Sequence, residues 1–177
     1  MTVSRWANDW REWVTEKAQG RVLEIGAGDG VNLPYYNSEA RVIATEPDPE
    51  SLELIGSHKE NISLAQVSAE ELPFPDESFD AVVGTLVFCT IPDVPRAFSE
   101  VKRVLKPGGS LRIVEHVRAR NPVVGAFMRA ANPAWHWMTG GCNINRDTLM
   151  AVRDAGFHIL QVNKRMGGLL LGIDATK

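Results

Sequence analysis

Short apolar runs alternate with helical stripes along most of the chain. This alternation limits what the chain can fold into more than any other feature. Strand-like runs occur at Arg21–Ile25, Arg41–Glu46, Ile62–Val67, Phe79–Val87 and Gly109–Val117. The fourth is continuously apolar rather than alternating, as expected for a strand covered on both faces. Between them, Asp48 is placed to cap a helix running to about Ser57, and Val94–Leu105 carries an apolar stripe at helical spacing. Pro107 and the glycines of "KPGG" end that helix. After a less regular segment, residues 119–145, the pattern predicts a helix over Arg146–Ala155 closed by Gly156. Two strands follow, near Phe157–Asn163 and Leu169–Asp174. Alternating strands and helices predict an α/β fold built on a parallel sheet with helices on both faces.

Ligands of such sheets bind beyond the carboxyl ends of the strands, where strand order reverses. Five segments are expected there: Gly26–Gly30, Glu46–Pro47, Ser68–Glu70, Thr85–Thr90 and Glu115–His116. The first, in "VLEIGAGDG", places glycine where the backbone needs positive φ or close approach of a ligand. Its spacing is G-x-G-x-G, with Val31 three residues after Gly28. That departs from the dinucleotide fingerprint, and no Lys-Ser/Thr follows as in a phosphate-binding loop. Hydride transfer is therefore the weakest of the alternatives. Glu24 and Asp29 disfavour pyrophosphate and suit a ligand with a cationic centre. Glu46, at the end of the second strand, suits the two hydroxyls of a ribose. "VSAEELPFP" offers small residues against which an adenine could slot.

"VLEIGAGDG", "TEPDP", "SAEELPFPDESFDAVV" and "EVKRVLKPGGSLRIVEH" together resemble the class I S-adenosylmethionine-dependent methyltransferases, in the type-11 branch. The resemblance covers residues 20–118. It implies a Rossmann-like, seven-stranded, mostly parallel sheet of order 3-2-1-4-5-7-6, with the last-numbered strand antiparallel. It also implies S-adenosylmethionine as cofactor. Glu24, Gly26 and Gly28 would surround the methionine part, with Ala27 between the two glycines. Glu46, with Pro47, would hold the ribose. Ser68, Ala69 and Glu70 would lie by the adenine, with Thr85 and Leu86 on the opposite side. Many relatives carry Asp at the position of Ser68, and serine reads an adenine amino group only weakly.

The last third, "ANPAWHWMTGGCNINRDT", together with "GTLVFCTIPD" and "VEHV", is similar to alkyl-thiol methyltransferases and their bacterial relatives. The resemblance implies a small-molecule acceptor, a thiol by preference, methylated by direct in-line transfer. Its binding residues are expected to be Phe88, Cys89, Trp135, His136 and Cys142. Aromatic side chains in this part suggest an apolar acceptor pocket. His116, ending the fifth strand, is the candidate general base. Glu115 is expected to face away from it, because neighbours on a strand alternate. An amine, phenol or quinone, or lipid-headgroup acceptor is the alternative. A cofactor-binding module without turnover is a further one.

Net charge is −3, so no basic surface invites nucleic acid. Cys89 and Cys142 are too few for a disulfide framework and lack zinc-type spacing, so no metal is expected and the cytoplasm is the expected location. No stretch approaches the roughly 18 apolar residues of a membrane span, so stable membrane insertion is not expected. Residues 1–19 read as an amphipathic helical arm whose Trp6, Trp10 and Trp13 dock on the body. The whole chain, 1–177, is expected to form a single methyltransferase domain, as a monomer or homodimer: the arm, a cofactor-binding core over 20–118, an acceptor-site segment over 119–145, and a C-terminal helix and strands over 146–177.

Overall fold

The computed structural model describes residues 3–56 and 58–177, with side chains from Asp9 onward. Seven strands form one sheet: β1 (Arg21–Ile25), β2 (Arg41–Thr45), β3 (Ile62–Ala65), β4 (Phe79–Thr85), β5 (Leu105–His116), β6 (His158–Arg165) and β7 (Leu170–Thr176). Their order is β3-β2-β1-β4-β5-β7-β6. The first five run parallel, and β7 inserts antiparallel between β5 and β6. Order and orientation match the expectation. The order reverses beside β1, whose two neighbours are β2 and β4, and the glycine turn leaves β1 at that point.

The helices are α1 (Val3–Thr15), α2 (Pro49–Leu54), α3 (Val94–Val104), α4 (Pro122–Met138) and α5 (Thr148–Asp154). Helix α3 starts where Asp93 accepts the Arg96 N–H (3.1 Å) and buries Ala97, Phe98, Val101 and Val104 along one stripe. Such a cap contributes about 1 kcal/mol. Asp48 caps α2 by accepting the Ser51 N–H, as expected. The helix ends at Leu54, where Ile55 turns to extended backbone, short of the anticipated end near Ser57, which itself lies outside the described residues. Helices α3 and α5 cover one face of the sheet, with Leu23, Val82, Leu111 and Ile173 beneath them. Helix α1 covers the other face, over Val22, Val83 and Val114.

Trp10 is buried and Trp13 half-buried, their rings edge to face at 5.5 Å. A Cβ on Gly172 of β7 would run into the Trp10 ring. The guanidinium of the buried Arg112 on β5 lies 4.4 Å from the Trp13 ring centre and 3.4 Å from Glu16. These contacts fix the arm on the sheet. Trp6, assigned the same docking role, has a side chain outside the described residues.

One element departs from the reading of the sequence. The segment 119–145, expected to be less regular, contains the 17-residue helix α4. Asn121 accepts the N–H groups of Val123 and Val124, and Pro122 occupies the first turn, where its missing donor costs nothing. Pro133 lies inside the helix. Most of α4 is exposed, and only Gly125 and Met128 are buried. Among the described residues, no helix is long and apolar enough to cross a membrane.

Candidate functional site: a cleft at the carboxyl ends of the strands

A cleft of about 540 Å³ opens where the ends of β1, β2, β3 and β4 meet. Its size is in the range of small-molecule sites. Gly26, Ala27 and Gly28 form one wall. Gly26 has φ +64° and Gly28 φ +54°, a region that side-chain-bearing residues seldom adopt. A Cβ on Gly26 would strike Val87, whereas one on Gly28 would meet nothing within 4 Å. The Gly28 backbone is thus left open for close approach of a ligand.

Glu46 and Pro47 stand opposite the glycines. Glu46 Oε2 accepts the Gly28 N–H (3.0 Å) and Oε1 the Asp48 N–H (3.2 Å), so two backbone donors aim the carboxylate. Ser68, Ala69 and Glu70 line the end of β3, and Thr85 and Leu86 the end of β4. The Ser68 hydroxyl is turned to Glu70 (3.3 Å), and Glu70 accepts the Asp93 N–H (2.6 Å). Ten of the eleven residues expected around the cofactor therefore share one cleft. Asp29 and Thr90, which fall in the segments expected at the site, also line it, as does Asn32, which the sequence did not single out.

Glu24 is the exception. It is fully buried and does not wall the cleft. The Asn32 amide donates to Glu24 Oε1 (2.9 Å) and to Thr85 Oγ1 (3.0 Å), standing between the acid and the ligand space. Burial pushes the Glu24 carboxyl up to about 7 against the pull of the Asn32 bond. The buried Tyr36 phenol lies beside it, outside hydrogen-bond geometry, and burial raises that phenol well above its ordinary value. Glu24 thus shapes the site through Asn32 rather than by direct contact.

The far end of the cleft is built differently. Glu115 is fully buried, and its carboxylate accepts three consecutive N–H groups, from Val87 (2.9 Å), Phe88 (2.8 Å) and Cys89 (3.1 Å). Burial nevertheless raises its carboxyl to about 7. This clamp follows directly after Leu86, a non-glycine residue at φ +56° whose side chain is exposed in the cleft. Arg146 completes the clamp by donating to the carbonyls of Phe88 (2.5 Å) and Ile91 (2.6 Å). Sequence reasoning set Glu115 aside once strand alternation turned it from the cleft. The unused signal was a buried acid one strand away from a run of turn N–H groups.

The residues expected to hold the acceptor do not wall the cleft. Phe88 is corrected to a core residue, fully buried with its ring stacked on Phe98 at 4.3 Å. Trp135 and His136 lie on the exposed surface of α4. His116, expected as the base at the cleft, is half-buried behind the wall. Its Nδ1 is 3.9 Å from Cys142 Sγ, and burial lowers its pKa. Cys89 and Cys142 are buried together, with Sγ atoms 3.4 Å apart. Glu115 and His116 were expected not both to face the cleft, and neither lines it.

A strand-end cleft beside the point where strand order reverses is where α/β sheets hold their ligands. The family model described as "Methyltransferase domain" matches residues 23–113, just over half of the chain. The chain belongs to this family, as a class I S-adenosylmethionine-dependent methyltransferase. It is 36% identical to the human thiol S-methyltransferase TMT1A over 149 residues, covering 80% of this chain and 61% of that protein. It is also 36% identical to the phosphatidylethanolamine N-methyltransferase of Cereibacter sphaeroides over 128 residues, covering 66% and 63%. The chain thus spans about three fifths of the length of these relatives. Among solved structures, an S-adenosylmethionine-dependent methyltransferase from Mesorhizobium loti superposes with a TM-score of 0.75 at 17% identity, covering 99% of this chain and 98% of the other. The [4+2]-cyclase SpnF superposes at 0.78 with 20% identity, covering 97% and 80%. One fold here carries different chemistries, so acceptor and reaction must be argued from the site.

Proposed function

We propose that this chain transfers a methyl group from S-adenosylmethionine to a small thiol. The observation that carries the reading is the Glu46 carboxylate, held by the Gly28 and Asp48 N–H groups over an open glycine turn. The residues present fit the cofactor. Glu46 has acceptor capacity left for ribose hydroxyls, Ala69 offers a flat apolar wall to an adenine, and Asn32 and Thr85 border the space for the amino-acid end. When bound, the cofactor supplies a methyl group already activated by a sulfonium centre.

The protein's part is positioning. The clamped turn after β4 fixes Leu86 in the cleft, and an acceptor held in line beyond it needs little further help. A thiol suits this site because a few per cent is already thiolate at neutral pH, so no base need wall the cleft. The likeness to the human thiol S-methyltransferase supports the same acceptor. The likeness to the phosphatidylethanolamine enzyme favours, as a second reading, an amine of a lipid headgroup. An assay with a labelled methyl donor against small thiols, amines, phenols and phosphatidylethanolamine vesicles separates them. Label in a thioether supports the proposal, label in an amine replaces the acceptor, and no S-adenosylhomocysteine from any acceptor reduces the chain to a binding module.

A further inference from the structure

Cys89, His116 and Cys142 come from three separate places: the turn after β4, the end of β5 and the loop after α4. Their donor atoms nevertheless lie within 4.8 Å of one another. The sulfur atoms are 3.4 Å apart, and Cys142 Sγ is 3.9 Å from His116 Nδ1. Zinc bonds of about 2.3 Å to sulfur and 2.0–2.1 Å to nitrogen, at tetrahedral angles, put S···S near ~3.8 Å and S···N near ~3.5 Å. Those two separations differ from the ideal by about 0.4 Å each, and the third, Cys89 Sγ to the His116 ring, is within 4.8 Å, so side-chain rotation has at most about 1.3 Å to close. We propose that Cys89, Cys142 and His116 form a binding site for a soft cation, zinc by preference, against the acceptor-side wall of the cleft.

The loops that carry the donors are braced. Glu115 holds the Cys89 N–H, and the Asn143 side chain donates to the carbonyls of Cys89 (3.0 Å) and Gly141 (3.0 Å). The Asn143 N–H reaches the same Cys89 carbonyl (2.8 Å), and Asn132 donates to Asn143 Oδ1 (3.0 Å). Such outer contacts are what hold metal ligands in place. Two sulfurs and one imidazole select zinc or copper(I) over hard cations. The absence of zinc-type spacing in the sequence carries little weight, because the fold and not the sequence interval assembles the set.

Three protein ligands leave one position of a tetrahedral ion open. Thr90, the neighbour of Cys89, lines the cleft, and a Cβ on Gly141 would stand 4.0 Å from Thr90 Cβ. On the thiol reading above, on which this extension alone rests, the open position takes the acceptor sulfur. Its S–H proton passes to solvent, a metal–sulfur bond replaces a bound water, and the sulfur keeps a lone pair for the methyl carbon.

The test uses the full chain, reduced and metal-free. Zinc is titrated by calorimetry, and cobalt(II) serves as an optical probe. One equivalent of zinc, and a cobalt spectrum with sulfur charge-transfer bands and tetrahedral d–d bands, are expected. Cys142→Ser and His116→Gln should each weaken zinc by roughly 100-fold or more, on the order of the largest losses known for outer-shell changes. Cys89→Ser is the riskier variant, since that residue is buried. Absence of saturable one-to-one binding, or unchanged affinity in folded Cys142→Ser and His116→Gln, overturns the site. A cobalt spectrum that shifts on adding a small thiol supports the extension. A spectrum that does not shift refutes the extension and leaves the metal site and methyl transfer to be judged separately.

Discussion

The two ends of the cleft are made from different materials. At the nucleoside end the chain uses backbone: positive-φ glycines, strand termini and one carboxylate aimed by two N–H groups. At the acceptor end it uses buried side chains drawn from far along the sequence. Glu115 clamps residues 87–89, Arg146 reaches back to Phe88 and Ile91, and Asn143 bridges to Cys89. A backbone-built site is tied to the fold and persists wherever these strand ends do. A site built from side chains can be changed residue by residue while the sheet stays. This division accounts for one architecture serving thiol, amine and cyclisation chemistry in similar proteins.

The contrast can be broken most forcefully at Glu115. Replacing it by Ala leaves three N–H groups of the turn without an acceptor, at about 1 kcal/mol or more each. A loss of about 3 kcal/mol in denaturant unfolding is expected, with S-adenosylhomocysteine affinity reduced less than catalysis. Equal loss of both would join the two ends into one unit. Next in size, Glu46→Ala should weaken S-adenosylhomocysteine by about 2 kcal/mol in calorimetry, the range for hydrogen bonds to a charged group. Its melting temperature should scarcely move, because the side chain is only half-buried at the cleft.

The pH dependence sharpens the comparison, since each end hides one acid. Glu24 and Glu115 have folded values near 7, above the ordinary 4.5, and burial is the main cause in both. The neutral form is therefore favoured in the folded state. The stability this confers is complete below about pH 4.5 and is lost as pH rises through 7. Glu24→Gln should flatten part of that fall in thermal melts between pH 5 and 8. An unchanged slope would place the titration elsewhere. The smallest effect is expected at Gly28→Ala. About 1–2 kcal/mol of backbone strain is added, with no clash to the protein itself. The variant should lose S-adenosylhomocysteine affinity beyond what its melting temperature loses.

The same division explains what could be read from the chain. The alternation of strands and helices and the glycine turn were legible in local patterns, while the strand order and the residues named for the cofactor came from the family resemblance; the order is observed, and ten of those eleven residues share one cleft. Glu24 was named as an acid of the glycine turn, a local reading that does not say what stands in front of the side chain, and Asn32 stands there. Helix α4 went unread although Asn121 and Pro122 open it, and Pro133 lies within it. Phe88 drew attention as an aromatic near the acceptor, but the turn clamped by Glu115 directs its ring into the core against Phe98. The meeting of Cys89, His116 and Cys142 depends on where α4 delivers the loop after it, and no spacing rule encodes that.

On the proposed reading, the strand-end cleft grips the sugar of the methyl donor through Glu46. A crystal structure of the chain with S-adenosylhomocysteine tests it most directly. The ribose hydroxyls are expected on the Glu46 carboxylate, the adenine against Ala69 and the sulfur facing the turn that begins at Leu86. A ligand seated elsewhere, or one whose ribose leaves Glu46 untouched, would contradict it.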